Sequence, residues 1–99
     1  MRKAILILAV AALAVLATSC NQLRARDQLN KGVRAFTNAQ YPDAVENFKK
    51  AVELDPGFTT ARAYLATAYM QQYIPGADSP ENNKMAQAAF DNFKKVLDI

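Results

Sequence analysis

A short sequence occurs twice in this chain, and the repetition constrains the fold more than any other feature. FKKAVEL at residues 48–54 returns as FKKVLDI at residues 93–99, 45 residues later. GVRAF at 32–36 corresponds to ATAYM at 66–70, a separation of 34 residues. The separations differ by 11 residues, which places an insertion between positions 70 and 89. Two copies of one unit in a 99-residue chain favour a small tandem array and exclude a large multi-step enzyme.

Apolar and small residues follow helical spacing in four segments. The first segment, about residues 23–39, carries a stripe of Leu29, Val33, Phe36 and Gln40. The second has Pro42 at an early position and is stopped by Asp-Pro-Gly at 55–57. The third begins at residues 59–60, and the fourth has Ser79 as N-cap followed by Pro80 in its first turn. No segment alternates with period two, so the sequence predicts an all-α fold.

This pattern resembles the tetratricopeptide repeat, a 34-residue helix-turn-helix unit. The matching positions are Gly32, Tyr41, Ala44, Phe48, Ala51 and Pro56 in the first copy, and Leu65, Ala66, Tyr69, Ala89, Phe93 and Val96 in the second. Gln28, Lys31 and Ala35 depart from the family pattern. The resemblance implies tandem hairpins over residues 25–99, with repeat 1 at about 25–58 and repeat 2 at about 59–99.

Small side chains are expected to bring the helices of each hairpin close together. Gly32 and Ala66 are predicted to face Ala44 and Ala89, allowing the helix axes to approach to about 8–10 Å. A generic antiparallel four-helix bundle is the alternative. Because two repeats leave a terminal face formed by Phe90, Phe93, Leu97 and Ile99, we expect either a longer protein or self-association.

The N-terminus has the order of a secretory leader. Arg2 and Lys3 precede 14 consecutive apolar residues at 4–17, and Cys20 follows. As a helix this run would extend about 21 Å, short of a hydrocarbon core of about 30 Å. A permanent membrane span is therefore disfavoured.

The end of that run, LATSC at residues 16–20, resembles the lipobox of bacterial lipoproteins. The resemblance implies a signal peptide at 1–19, acylation of Cys20 and a short tether at 20–24. Asn21 follows the cysteine, and the absence of Asp at that position favours the outer membrane over the inner membrane. The alternatives are cleavage by an ordinary signal peptidase, which would leave Cys20 a free thiol, and an uncleaved anchor.

Composition argues against catalysis, cofactors and metals. The chain has no His, no Trp and one Cys, and its acidic residues are scattered. Without Arg2 and Lys3, ten basic residues stand against nine acidic ones, which gives no basis for nucleic-acid binding. The lysine pairs at 49–50 and 94–95 are interpreted as solvated outer faces rather than a nucleic-acid site.

Resemblance to the family places partner binding on the first helix of each repeat. The implied contact residues are Arg26, Leu29, Val33, Phe36 and Thr37 in one copy and Thr60, Ala63, Thr67, Met70 and Gln71 in the other. They are mostly apolar or neutral, which favours an extended or helical protein segment as ligand. The Lys and Asn pattern with which some relatives hold a C-terminal carboxylate is absent.

Residues 72–79 lie in the insertion, and two interpretations of them are open. A turn is predicted at Pro75-Gly76, and Tyr73 and Ile74 either pack over the hairpin end or form a protruding contact element.

Taken together, these features predict a membrane-anchored, non-catalytic scaffold that binds a protein or peptide partner in the bacterial cell envelope and faces the periplasm. One alternative is the docking part of a larger envelope enzyme. Another is a structural envelope protein that self-assembles.

Overall fold

The computed structural model describes residues 1–98 and contains four α-helices, with no strand in that range. The helices are α1 (Arg2–Thr37), α2 (Tyr41–Leu54), α3 (Thr59–Gln72) and α4 (Pro80–Leu97). Each helix packs against the next one along the chain, so α1 and α2 form one hairpin and α3 and α4 another. The predicted all-α fold of helical hairpins is confirmed.

The first helix differs from its predicted bounds. It begins at Arg2 rather than near residue 23, because no helix breaker separates the apolar leader from the amphipathic segment that follows. The predicted tether at 20–24 is helical in this unprocessed chain. Processing at Cys20 stays a prediction.

α1 ends at Thr37, two residues before the predicted end, in a Schellman motif. The Gln40 amide donates to the Ala35 carbonyl at 2.9 Å, and the Ala39 amide donates to the Phe36 carbonyl at 3.0 Å. Ala39 adopts φ 58°, a left-handed conformation normally taken by glycine. Gln40 was predicted to belong to the α1 stripe, but it is exposed and precedes α2.

Phe48 is the centre of the core between α1, α2 and α3. Its side chain is fully buried, and its ring stacks on Tyr64 with centroids 5.3 Å apart. The same ring fills the space that a Cβ at Gly32 would occupy. Gly32 was predicted to face Ala44, which is buried in the same core; the atoms nearest to a Cβ built at Gly32 belong to Phe48, whose ring needs the room that glycine leaves.

The second hairpin is held by small residues and one arginine. Ala66 of α3 and Ala89 of α4 are both buried, and that they face each other stays a prediction. The Arg62 guanidinium donates to Asn92 Oδ1 at 3.2 Å and to the Pro56 carbonyl at 3.4 Å. It therefore ties α3 both to α4 and to the α2–α3 connection.

The terminal face of α4 is largely uncovered. Phe90 is 62% exposed and Leu97 is 85% exposed, whereas Phe93, predicted to belong to the same face, is partly buried. The prediction of an uncovered apolar face is confirmed for Phe90 and Leu97, and Ile99 lies outside the described residues.

One buried asparagine organises the connection between α3 and α4. The Asn82 side chain accepts from the Ile74 amide at 2.6 Å and donates to the carbonyls of Ile74 and Ala77, both at 2.8 Å. Its backbone amide also donates to Ser79 Oγ at 3.2 Å, which confirms Ser79 as the N-cap of α4. The predicted turn is present, with Gly76 at φ 83° and the Ala77 amide bonded to the Ile74 carbonyl.

Candidate partner-binding groove

Four of the predicted contact residues line one groove between α1 and α3. The groove has a volume of about 400 Å³ and is lined by Phe36, Thr59, Thr60, Ala63, Tyr64 and Thr67. On α3 the lining follows the spacing i, i+3, i+4 and i+7 from Thr60, which defines one side of a helix. Residues far apart in the sequence thus form a single concave surface.

The aromatic walls of the groove are fixed from behind. Phe36 contacts Tyr41 edge to face, with ring centroids 5.3 Å apart, and Tyr64 rests on the buried ring of Phe48. Such aromatic pairs hold ring orientation beyond what area burial alone gives. A ligand therefore meets a preformed wall on each side.

The hydroxyl groups in the groove are already partly occupied. Thr67 Oγ1 donates to the Ala63 carbonyl at 2.9 Å, and Thr59 Oγ1 donates to the Gly57 carbonyl at 3.4 Å. Since these donors are used locally, the lining offers mainly apolar contact. The groove is therefore suited to an apolar side chain rather than to a charged group.

The other six predicted contact residues lie elsewhere. Leu29 and Val33 are partly buried and pack against the core. Arg26, Thr37, Met70 and Gln71 are exposed but do not line the groove. The helical period alone did not separate these positions, because groove and core occupy adjacent sectors of α1.

Two lining residues were not among the predicted contacts. They are Thr59, which begins α3, and Tyr64 in the second turn of that helix. The signal that could have identified Tyr64 is its position four residues after Thr60 and three before Thr67, on the same side of the helix.

The loop residues Tyr73 and Ile74 are at the surface. Tyr73 is 39% exposed, so more than half of its surface is covered, whereas Ile74 is 63% exposed. The backbone around them is nevertheless fixed by Asn82. A partner role for the two side chains stays a prediction.

A larger depression of about 600 Å³ lies between α1 and α2, with no lining residue from α3. Its rim carries charges of both signs, among them Lys31, Arg34, Asp43, Glu46 and Lys50. Lys31 already pairs with Asp27 at 3.2 Å. Mixed and solvated charges of this kind give little selectivity, so this depression is a weaker candidate than the groove.

The N-terminal part of α1 is apolar and uncovered. Its most apolar 18 residues have a mean hydropathy of 2.3 and none of them is buried, and a helix of this length and composition could cross a membrane, a property shared by signal sequences and anchors. The expectation that a span is disfavoured counted only the apolar run at residues 4–17, whereas the helix continues without a break to Thr37. Cys20 has an exposed free thiol on this helix. The helix is thus compatible with export or anchoring without distinguishing between them.

Within residues 1–98, no group of three or more His, Cys, Asp or Glu side chains could hold a metal ion. The lysine pairs 49–50 and 94–95 are exposed, as their interpretation as outer faces requires. Comparison with family models, with curated proteins and with solved structures gives no match. The candidate site therefore depends on its geometry alone.

Proposed function

We propose that the chain is a lipid-anchored scaffold of the bacterial cell envelope that binds an apolar segment of a protein partner in the α1–α3 groove. The observation that carries the proposal is the groove itself, in which Phe36 of α1 meets Thr60, Ala63 and Thr67 of α3. An open, mostly apolar surface with fixed aromatic walls is typical of sites that receive a peptide side chain. In this proposal the helical hairpins belong to the tetratricopeptide class and perform no catalysis.

Acylation of Cys20 would supply the membrane anchor. The thiol is exposed and lies at the junction between the apolar leader and the amphipathic part of α1. Each buried methylene of an acyl chain contributes about 0.8 kcal/mol, so several chains on one residue hold a protein stably. The outer membrane is the proposed location, with the hairpins facing the periplasm.

The anchor is tested by labelling with a radioactive fatty acid in cells that express the full chain. Wild type is expected to be labelled and to remain with the membranes, while Cys20→Ser is expected to lose the label. Cys20→Ser removes the acceptor without changing the composition of the apolar run. Equal labelling of both proteins would disprove acylation at Cys20.

The groove is tested by photo-crosslinking in the native envelope. A photoreactive amino acid is introduced at Thr60 in the full chain and, as a control, at Lys49 on the exposed side of α2. We expect an adduct from position 60 alone, and we expect Ala63→Asp to abolish it, because a carboxylate would have to lose its hydration inside the groove.

The partner identified by crosslinking is then purified, and its affinity for the wild-type chain and for each variant is measured. Ala63→Asp is expected to weaken binding by at least about tenfold, equivalent to about 1.4 kcal/mol. The control Lys49→Asp, which changes more charge on an exposed helix face, is expected to leave binding unchanged. Equal binding by all three proteins would place the site outside the groove.

A further inference from the structure

The proposed anchor and the hairpins are joined without a long tether. α1 continues as one helix through Cys20, and Ala25 is fully buried in a cluster with Ala51 and Ala61. Only residues 21–24 therefore separate the acylation site from the first residue that the hairpins hold in place. Ala25 lies about 8 Å along the helix from Cys20, and about 18 Å from it if residues 20–25 are fully extended.

α3 runs in the same direction as α1. Ala25 of α1 shares a buried cluster with Ala61 of α3, and Ala35, farther along α1, shares another with Leu65. The groove wall that α3 forms with residues 59–67 therefore begins level with Ala25.

The whole groove lies close to the anchor. Its far end is Phe36, which follows Cys20 in the same helix. The separation of the two residues is about 24 Å at a rise of 1.5 Å per residue, and about 35 Å if residues 20–25 are extended. A tilt of α1 brings the groove nearer to the bilayer, so these distances are upper limits.

An uncleaved α1 would place the groove nearer still. Residues 4–23 carry no charge, and a helix of that length extends about 30 Å, the thickness of a hydrocarbon core. Such a span would bring Arg24 to the membrane surface, and Phe36 would then lie about 18 Å above it along the helix. The short distance between groove and bilayer thus holds for either anchor.

The groove by itself offers weak binding. It suits an apolar side chain, and its Thr67 hydroxyl already donates to the Ala63 carbonyl at 2.9 Å. Burial of one such side chain supports a Kd no tighter than about 1 mM. A partner held in the same membrane is confined to the layer in which the groove lies, and this confinement raises its effective concentration.

Building on the proposed function, we infer that the occupant of the groove is the membrane-proximal segment of a protein anchored in the same membrane. The segment carries its apolar side chain within about 35 Å of the bilayer, next to a transmembrane helix or a lipidated residue. Shared anchoring supplies the local concentration that the groove alone needs for occupancy.

Crosslinking in reconstituted vesicles tests this class of partner. The full chain with a photoreactive amino acid at Thr60 is combined with the purified protein that this position captures in the envelope. The two are placed either in the same vesicles of phosphatidylethanolamine and phosphatidylglycerol or in separate vesicles of that composition. We expect at least about tenfold more adduct in shared vesicles, because a segment beside one bilayer does not reach a groove held against another.

The matched control carries the photoreactive amino acid at Lys49, on the exposed side of α2, and is expected to give no adduct in either arrangement. Mass spectrometry of the adduct supplies a second measurement. The partner residue bonded to position 60 should lie within about ten residues of that protein's membrane anchor, since ten extended residues span about 35 Å.

Three results would overturn the assignment while leaving the groove as a binding site: equal yields in shared and separate vesicles, capture of a protein without a membrane anchor, or an adduct far from the partner's anchor. Equal adducts from positions 49 and 60 would show only collision at a crowded surface. That result, or the absence of any adduct from position 60 in the envelope, would overturn the proposed function and this assignment with it.

Discussion

The two hairpins have one sequence pattern but different surroundings. In the first, Phe48 closes over Gly32 and is fully buried, and α3 covers the outer side of α2. In the second, Ala66 and Ala89 are buried, but the outer side of α4 carries Phe90 and Leu97 into solvent. The repeat therefore determines the hairpin, whereas the burial of its outer side depends on the neighbour that each hairpin receives.

Their connections differ as well. The first hairpin turns through residues 38–40, with Ala39 in a left-handed conformation. The second uses residues 73–79 and depends on the buried side chain of Asn82. An insertion can therefore be ordered when one polar side chain satisfies the backbone groups that the longer connection leaves without partners.

The largest expected effect is a test of the repeat-equivalent outer positions. Val45→Asp should lower the free energy of unfolding by about 4 kcal/mol or more, because it buries an unpaired charge in the core. Phe90→Asp should change it by about 0.5 kcal/mol or less at low protein concentration, because the side chain is already exposed.

This difference is measured by urea titration of the two full-length variants in the same detergent, with circular dichroism as the probe of unfolding. If both variants lose the same free energy of unfolding, the two outer faces do not differ, since α4 would then be covered within the monomer. Dilution is part of the control, because a dimer formed through α4 would raise the apparent stability at high concentration.

A smaller effect is expected in the α3–α4 connection. Asn82→Ala should cost about 1–3 kcal/mol, because the Ile74 amide and the Ala77 carbonyl lose this partner and the Ile74 carbonyl keeps only the Ala77 amide. Asn82→Asp has nearly the same shape but would set a carboxylate oxygen against those carbonyls, so it should cost at least as much. Limited proteolysis is expected to cut at 73–79 first in both variants.

Asn47→Ala is the matched control, since that side chain bonds only within its own helix, to the Asp43 carbonyl at 3.0 Å. It should leave cleavage at 73–79 unchanged. Protection of the loop in Asn82→Ala would mean that the turn at 75–76 holds the connection without the asparagine.

The sequence predicted features that have local signals. The stop at 55–57, the N-cap at Ser79 and the turn at Pro75-Gly76 each depend on residues a few positions apart, and all three are present. Local chemistry was sufficient in these cases because capping and turn geometry involve neighbouring backbone groups. The resemblance to the repeat family also led to Phe36, Thr60, Ala63 and Thr67, which line one groove.

Features that depend on distant contacts were not predicted. Asn82 reads as an ordinary polar residue in the first turn of α4, and its three side-chain bonds become visible only when residues 74–77 fold back over it. Val33 was predicted to face a partner, yet it packs against the core. The boundary between core and groove depends on the rotation of α1 against α3, which periodicity does not define.

The smallest effect concerns the two residues with positive φ, one in each connection. Ala39→Gly should raise the free energy of unfolding by about 0.5–1 kcal/mol, because glycine adopts φ 58° without the steric penalty paid by alanine, although the unfolded chain gains entropy. Gly76→Ala should lower it by a similar amount, since φ is 83° there and no atom lies within 4 Å of the added Cβ. Paired urea titrations measure both changes, and the expected opposite signs distinguish backbone strain from lost side-chain contacts. If Ala39→Gly instead lowers the free energy of unfolding, the entropy that glycine adds to the unfolded chain outweighs the strain relieved at position 39. The backbone strain of Ala39 would then be smaller than the strain that alanine would introduce at position 76.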